Sequence, residues 1–236
     1  MEPATAARTS MRILAIDTCS NVCSVCISDD DRIVAEYASV SDKTHTERLM
    51  PAIELLFSHL DAPISSVDGI AVIHGPGSFT GLRISLSVVK GLAFALQLPV
   101  VPASALEIAA LQLPQHGLIA PALDARRNEI FTCLFEKTNA DLSLIQEPRS
   151  ISAVEWLRRL PDLPVVFCGP GAYLYWETLS RHAESNLAGS PDLILAPTLA
   201  RFARAKLLRG EGISAGRLKA AYLRPSDAES KAKSGK

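Results

Sequence analysis

The spacing of apolar positions along the chain changes several times, and each change marks an element. Ile13-Leu14-Ala15-Ile16, inside the stretch 12–17, is apolar at every position, which predicts a central strand buried on both faces. Residues 22–27 give a second strand. Ser28-Asp29-Asp30-Asp31 is a turn of residues that hydrogen-bond their own backbone. In 32–39, Ile33, Ala35 and Tyr37 alternate with Val34, Glu36 and Ala38, a period of two. An antiparallel meander of three strands therefore comes first. The period then becomes helical. Thr44-His45-Thr46-Glu47 forms a capping box, in which the hydroxyl and the carboxylate satisfy each other's orphan amides. Leu49, Ile53, Leu56 and Leu60 share one face of the helix it opens. Pro51 lies beyond the first turn and predicts a kink or a 3-10 start.

Residues 70–96 form a unit of strand, glycine loop and helix around which the chain is organised. Ile70-Ala71-Val72-Ile73 is too short for a helix and is bounded by Gly69 and Gly75. His74-Gly75-Pro76-Gly77-Ser78-Phe79-Thr80-Gly81 is the loop, with Ser78 or Thr80 as the cap of a helix running from about Gly81 to Leu96. Arg83, Ser87, Lys90 and Gln97 make a narrow polar line on that helix. Leu82, Leu86, Val89, Ala93 and Leu96 form one apolar stripe; Ile84, Val88, Leu92 and Ala95 form a second. So wide an apolar arc implies burial on more than one side. Ser87, Gly91 and Ala95 recur every fourth residue and would let a second helix approach closely. Either the helix is sandwiched inside its own domain, or one stripe packs on the home sheet and the other on a partner chain.

A short strand, 99–102, completes a βββαβαβ order, for which right-handed parallel crossovers are the default. The second half repeats this logic without a repeat at the level of residues. Residues 105–113 are helical, and strands 117–123, 130–136 and 142–151 form a second meander. Helix 154–160, strand 165–168, loop 169–171, helix 172–180, strand 193–195 and helix 199–209 follow. After Gly210 the pattern fades, except at Ala221-Tyr222-Leu223, which looks anchored. The expected division is an N-terminal lobe, 11–103, and a C-terminal lobe, 104–225, with disordered tails at 1–10 and 226–236.

Composition narrows the functional classes. The 236 residues suffice for one large domain or two small ones, and 48% hydrophobic with 21% charged residues is an ordinary globular balance. A formal net charge of -1 gives no overall drive toward nucleic acid. No run of about 18 residues is free of polar groups, so no membrane span or membrane partner is expected. The first ten residues lack the apolar core of a signal peptide. Five cysteines, an odd number, then suggest reduced thiols in the cytoplasm.

The chemical candidates each have two readings. Gly75, Gly77 and Gly81 precede a helix whose first amides can hold an anion, or they form a tight structural turn. No Lys-Ser or Lys-Thr follows, so the loop is not a Walker loop, and it neither opens a βαβ unit nor forms a nucleophile elbow. Asp17 ends the first strand, where nucleotide-binding folds of this order face phosphate or metal; it can equally cap the turn that follows. Cys19, Cys23 and Cys26 have iron–sulfur spacing, but Cys23 and Cys26 fall on opposite faces of a strand and act as small hydrophobes. Asp124, Arg126, Arg127 and Glu129 are either a solvated hairpin or a site for phosphate, metal or ribose. His45 and His74 are single histidines, and no metal site is expected. Arg201, Arg204, Lys206, Arg209, Arg217, Lys219 and Arg224 make the C-terminal region basic; solvated helix faces account for them better than direct tRNA contact.

Taken together, Ile16-Asp17-Thr18, His45-Thr46-Glu47, the stretch from His74 to Arg83, Asp124-Ala125-Arg126-Arg127-Asn128-Glu129 and Tyr222-Leu223-Arg224-Pro225 closely resemble the TsaB (YeaZ) family, once labelled glycoprotease-like. The likeness covers Met11 to Glu229, and Gly-Pro-Gly-Ser-Phe-Thr-Gly-Leu-Arg is its most specific part. It implies an α/β, two-lobed actin/hexokinase/Hsp70-like ATPase fold, ribonuclease H-like in each lobe. It also implies a non-catalytic partner subunit in making threonylcarbamoyladenosine beside the anticodon of tRNA. The partners implied are a TsaD-like catalytic subunit, a TsaE-like ATPase, a second copy in a homodimer when isolated, and tRNA indirectly. TsaD-like proteins bind metal through His-x-x-x-His on the first helix. Here Leu49, four residues after His45, stands where the second histidine would, and leucine cannot coordinate. The residues expected at the partner interface are Leu49, Ile53, Leu82, Ile84, Leu86, Val88, Leu92 and Ala95. Those considered for nucleotide are Asp17, Thr18, Gly75, Gly77, Ser78, Gly81, Asp124, Arg126 and Glu129, with ATP or ADP at the subunit junction and no cofactor for the chain alone. The rival expectation is a stand-alone metallopeptidase or ATPase, motivated by the glycine loop and Asp17.

Overall fold

The computed structural model describes residues 10–224 except 42 and 140, so the expected tails lie outside the described residues apart from Ser10. The first sheet holds β1 (Arg12–Asp17), β2 (Val22–Asp29), β3 (Arg32–Val40), β4 (Gly69–Gly75) and β5 (Val100–Ser104) in the order β3-β2-β1-β4-β5. The meander pairs antiparallel; β4 and β5 add in parallel. As its unbroken apolar run implies, β1 is central, with Ile13 to Asp17 fully buried. Between the strands lie α1 (His45–His59), with the Thr44/Glu47 capping box formed, and α2 (Phe79–Leu96), capped by the Ser78 hydroxyl, which accepts from the Gly81 amide at 3.2 Å. Pro51 is accommodated inside α1.

After α3 (Ala105–Gln112), the second sheet repeats the plan. β6 (Gly117–Arg126), β7 (Glu129–Lys137), β8 (Leu142–Ile151), β9 (Val165–Cys168) and β10 (Asn186–Ala188) lie in the order β10-β9-β6-β7-β8. A meander again leads, and two parallel strands extend its other side. Short helices α4 (Ala153–Leu157), α5 (Pro170–Leu174) and α6 (Trp176–Leu179) and the longer α7 (Ala196–Leu208) complete the chain.

Several boundaries differ from expectation. The second sheet's last strand is Asn186–Ala188, not 193–195. Leu193 and Leu195 are buried, but as anchors in the lead-in to α7. The single helix expected over 172–180 is two, and it begins earlier, because Pro170 suits a first helical turn, where its missing N–H costs nothing. The Asp124–Glu129 loop is nearly all strand. Only a tight turn remains, with Arg126, Arg127 and Asn128 in succession at φ of 62°, 54° and 61°.

The first sheet ends with β5 at Ser104 and the second begins with β6 at Gly117, but the core does not divide with them. From the far end of the sequence, α7 packs back onto β1, β2 and β4 through Leu199 and through Ala196, Ala200 and Ala203, whose small side chains let it lie close. Its first amide, Ala196 N, donates to Ser24 Oγ on β2 at 3.3 Å. The main apolar cluster therefore joins both sheets, from Ile13 through Ala203 to Ile119, Phe131 and Phe135. A smaller cluster around Trp156 and Phe167 lies under the outer face of the second sheet.

Candidate functional site

The ends of β1 and β4 bring Asp17, Thr18 and the glycine loop together. Thr18 Oγ1 donates to Gly81 O at 2.8 Å. Ser78 N donates to Cys19 O at 2.6 Å. A Cβ on Gly77 would strike Cys19 O, and one on Gly81 would strike Thr18 O. The glycines thus admit the chain's own β1–β2 turn against the loop. Asp17 is fully buried beside it. Its Oδ1 accepts from Cys19 N at 2.8 Å, while Oδ2 has no partner, and burial pushes its pKa up from 3.8 to about 6.

Asp124, Arg126 and Glu129 lie on the β6–β7 hairpin of the other lobe. Asp124 Oδ1 accepts from Arg126 N at 2.8 Å, and Glu129 Oε2 accepts from Ser150 Oγ at 2.6 Å and from Arg224 Nη1 at 3.2 Å. Most of these polar groups are engaged with the chain itself. The sequence marks Arg224 among the basic C-terminal residues and in the Tyr222-Leu223-Arg224-Pro225 stretch; its role in bridging to this hairpin emerges from the tertiary contact. Phe79, too, is more than the loop residue that pattern suggests. Its ring stacks on Tyr222 at 4.7 Å and lies 3.8 Å from the Arg83 guanidinium.

His45 is engaged on both ring nitrogens. Nε2 lies 2.8 Å from Ser20 O and Nδ1 lies 3.3 Å from Arg48 Nη2. A carbonyl can only accept and a guanidinium can only donate, so the ring is neutral with its proton on Nε2. Burial lowers its pKa, in keeping with that tautomer. Leu49, one turn on, is in the core. Neither His45 nor Leu49, the two positions of the TsaD-like His-x-x-x-His spacing, offers a free ligand. The cysteines are buried thiols; burial pushes Cys23 up to about 11 and Cys168 up to about 12.

The residues expected at a partner interface separate into two groups. Leu49, Ile53, Leu82 and Leu86 are buried in the chain's own core, because the i, i+4 stripe that carries them is the one facing the sheet. They are therefore not available to a partner in this fold. Ile84, Val88 and Leu92 are half-buried, and Ala95 is exposed. The second stripe is thus less bare than its composition suggests, with α1 and the 3-10 turn Ala215–Arg217 both packing on α2. Beside it lies an open face of Ser87, Gly91, Phe94 and Ala95, with Phe94 74% exposed. By length and composition alone α2 is apolar enough to cross a membrane; here it packs one face on the sheet, with Arg83, Ser87 and Lys90 on its outer side.

Comparison with known proteins fits this geometry. Residues 32–171 match the family model described as TsaD, tRNA N6-adenosine threonylcarbamoyltransferase. The chain is 36% identical over 168 residues to the tRNA threonylcarbamoyladenosine biosynthesis protein TsaB of Bacillus subtilis, covering 70% of this chain and 73% of that one. It is 32% identical over 230 residues to TsaB of Haemophilus influenzae, covering 91% and 94%. A solved structure from Pseudomonas aeruginosa, described as similar to the peptidase YeaZ, superposes with a TM-score of 0.79 at 30% identity, covering 91% of this chain and all of that one. The architecture is the two-lobed α/β actin/hexokinase-like ATPase fold. With most of its length matched at this identity and its two sheets built on one plan, the chain belongs to the TsaB family of tRNA threonylcarbamoyladenosine biosynthesis proteins.

Proposed function

We propose that this chain is a non-catalytic subunit in the formation of threonylcarbamoyladenosine next to the anticodon of tRNA, and that it pairs with a TsaD-like catalytic subunit. The observation that carries the reading is the outer side of α2: Ser87, Gly91 and Ala95 are small and exposed, and Phe94 stands 74% exposed among them. An exposed aromatic beside a strip of small residues suits the close approach of another helix. The same face would serve a homodimer when the chain is alone. A TsaE-like ATPase and tRNA join through the assembly, in the cytoplasm, and any ATP or ADP belongs at the subunit junction.

Stand-alone metallopeptidase chemistry has little to work with, since Leu49 is a core residue and His45 is fully hydrogen-bonded. The test is co-purification with the TsaD-like protein of the same organism. Phe94→Asp combined with Ala95→Glu should abolish pairing while leaving the melting temperature of the isolated chain within about 2 °C, because both positions are solvent-facing. A folded variant that still co-purifies overturns the proposal. So would stoichiometric metal or robust ATP turnover in the isolated wild-type chain.

A further inference from the structure

The last described residues do not stay with the lobe they follow in sequence. Ile213 exchanges both backbone hydrogen bonds with Val100 on β5, at 2.8 Å each. The turn Ala215–Arg217 packs on α2, and Leu218 is fully buried. The chain then crosses the ends of the first-sheet strands. His74 Nδ1 donates to Lys219 O at 3.1 Å, and Ala221 N donates to His74 O at 2.8 Å. Ala221 O lies so close to Gly75 that a Cβ there has no room, and Tyr222 stacks on Phe79. Two residues on, the chain reaches the second lobe. Arg224 donates from Nη1 to Glu129 Oε2 at 3.2 Å and from Nη2 to Ala125 O at 2.9 Å.

These contacts fall on both lobes at one place. The glycine loop lies between two parts of its own chain, the Thr18–Cys19 turn against Gly77 and Gly81, and Ala221 against Gly75. Arg224 holds both flanks of the β6–β7 turn, where two arginines and an asparagine stand in the left-handed region that costs a non-glycine residue energy. We propose that Lys219–Arg224 is a conformational strap, a local latch that ties the glycine loop of the first lobe to the β6–β7 turn of the second. The strap works by a few surface hydrogen bonds, one ring stack and one forked arginine. It therefore opens locally, well before the core does. This inference rests on the fold and not on the proposed pairing with a partner.

Hydrogen exchange read by mass spectrometry on the full chain tests it. In Tyr222→Ala/Arg224→Gln, amides in 75–81 and in 124–129 should exchange about tenfold faster or more, while those of β1 keep the wild-type rate. Wild-type exchange in either segment overturns the strap. If the double variant speeds up everywhere, Arg224→Gln alone decides. It should accelerate 124–129 and leave β1 unchanged, and acceleration everywhere, or none at 124–129, sinks the idea.

Discussion

Asp17 has no solvent contact, and only one of its two carboxylate oxygens is paired. Burial raises its pKa to about 6 in the folded chain. The folded state therefore holds its proton more tightly than the unfolded state does, and the carboxylate becomes a growing cost as pH rises from about 4 to 6. Above that window the ionised group costs on the order of 3 kcal/mol, since each tenfold gain in proton affinity on folding is worth about 1.4 kcal/mol. Asp17→Asn keeps the acceptor for Cys19 N and removes the charge. Urea melts should show the variant gaining about 1 kcal/mol more over wild type at pH 8 than at pH 5. A gain or loss that does not change with pH would mean the carboxylate is not strained by burial. The sequence marked Asp17 as notable, but burial of this kind cannot be read from one carboxylate after a strand. It depends on what the β1–β2 turn and the glycine loop place over it.

Among the elements, the glycine loop and α2 show how far local pattern reaches. The order of strand, loop and helix, a cap at Ser78 or Thr80 and the helix end at Leu96 are legible, because each is set by residues within a few positions of one another, although the strand runs on through Gly75 and the helix begins at Phe79, two residues before the expected Gly81. What the glycines are for is not legible. Gly81 is small because Thr18 O is against it, whereas Gly91 has nothing within 4 Å of where a Cβ would stand. Gly81→Ala should destabilise the isolated chain by about 1–3 kcal/mol, the usual cost of overpacking. Gly91→Ala should stabilise it by about 0.5–1 kcal/mol, through helix propensity. Equal effects in denaturant melts would contradict the distinction. Two apolar stripes are visible on α2 in the sequence, but which one faces the sheet follows from how the helix rolls against β4, and that roll leaves Leu82, Leu86, Val89 and Ala93 inward.

At the scale of the molecule, the two lobes repeat one strand order but do not fold as separate bodies. The main cluster spans both sheets, and α7 returns to the first. Calorimetry should give a single cooperative unfolding transition, with matching calorimetric and van't Hoff enthalpies. Two resolved transitions would show independent lobes. Ending the chain after Ile194 removes α7 and should unfold the first lobe as well as the second, as circular dichroism would show, because Ile13 to Ile16 would lose their cover. By itself the sequence determined most of the strands and helices, their order, the Thr44 cap and the twofold plan of meander followed by parallel extension, but not the last strand of the second sheet. Those follow from burial period and from hydrogen bonds between near neighbours. Only the tertiary structure decided that α7 belongs to the first sheet, that the glycine loop is packed by the chain's own backbone, and that Arg224 meets Glu129 across 95 positions. Such contacts are set by how finished elements stack and roll on one another, and no period along the chain encodes that.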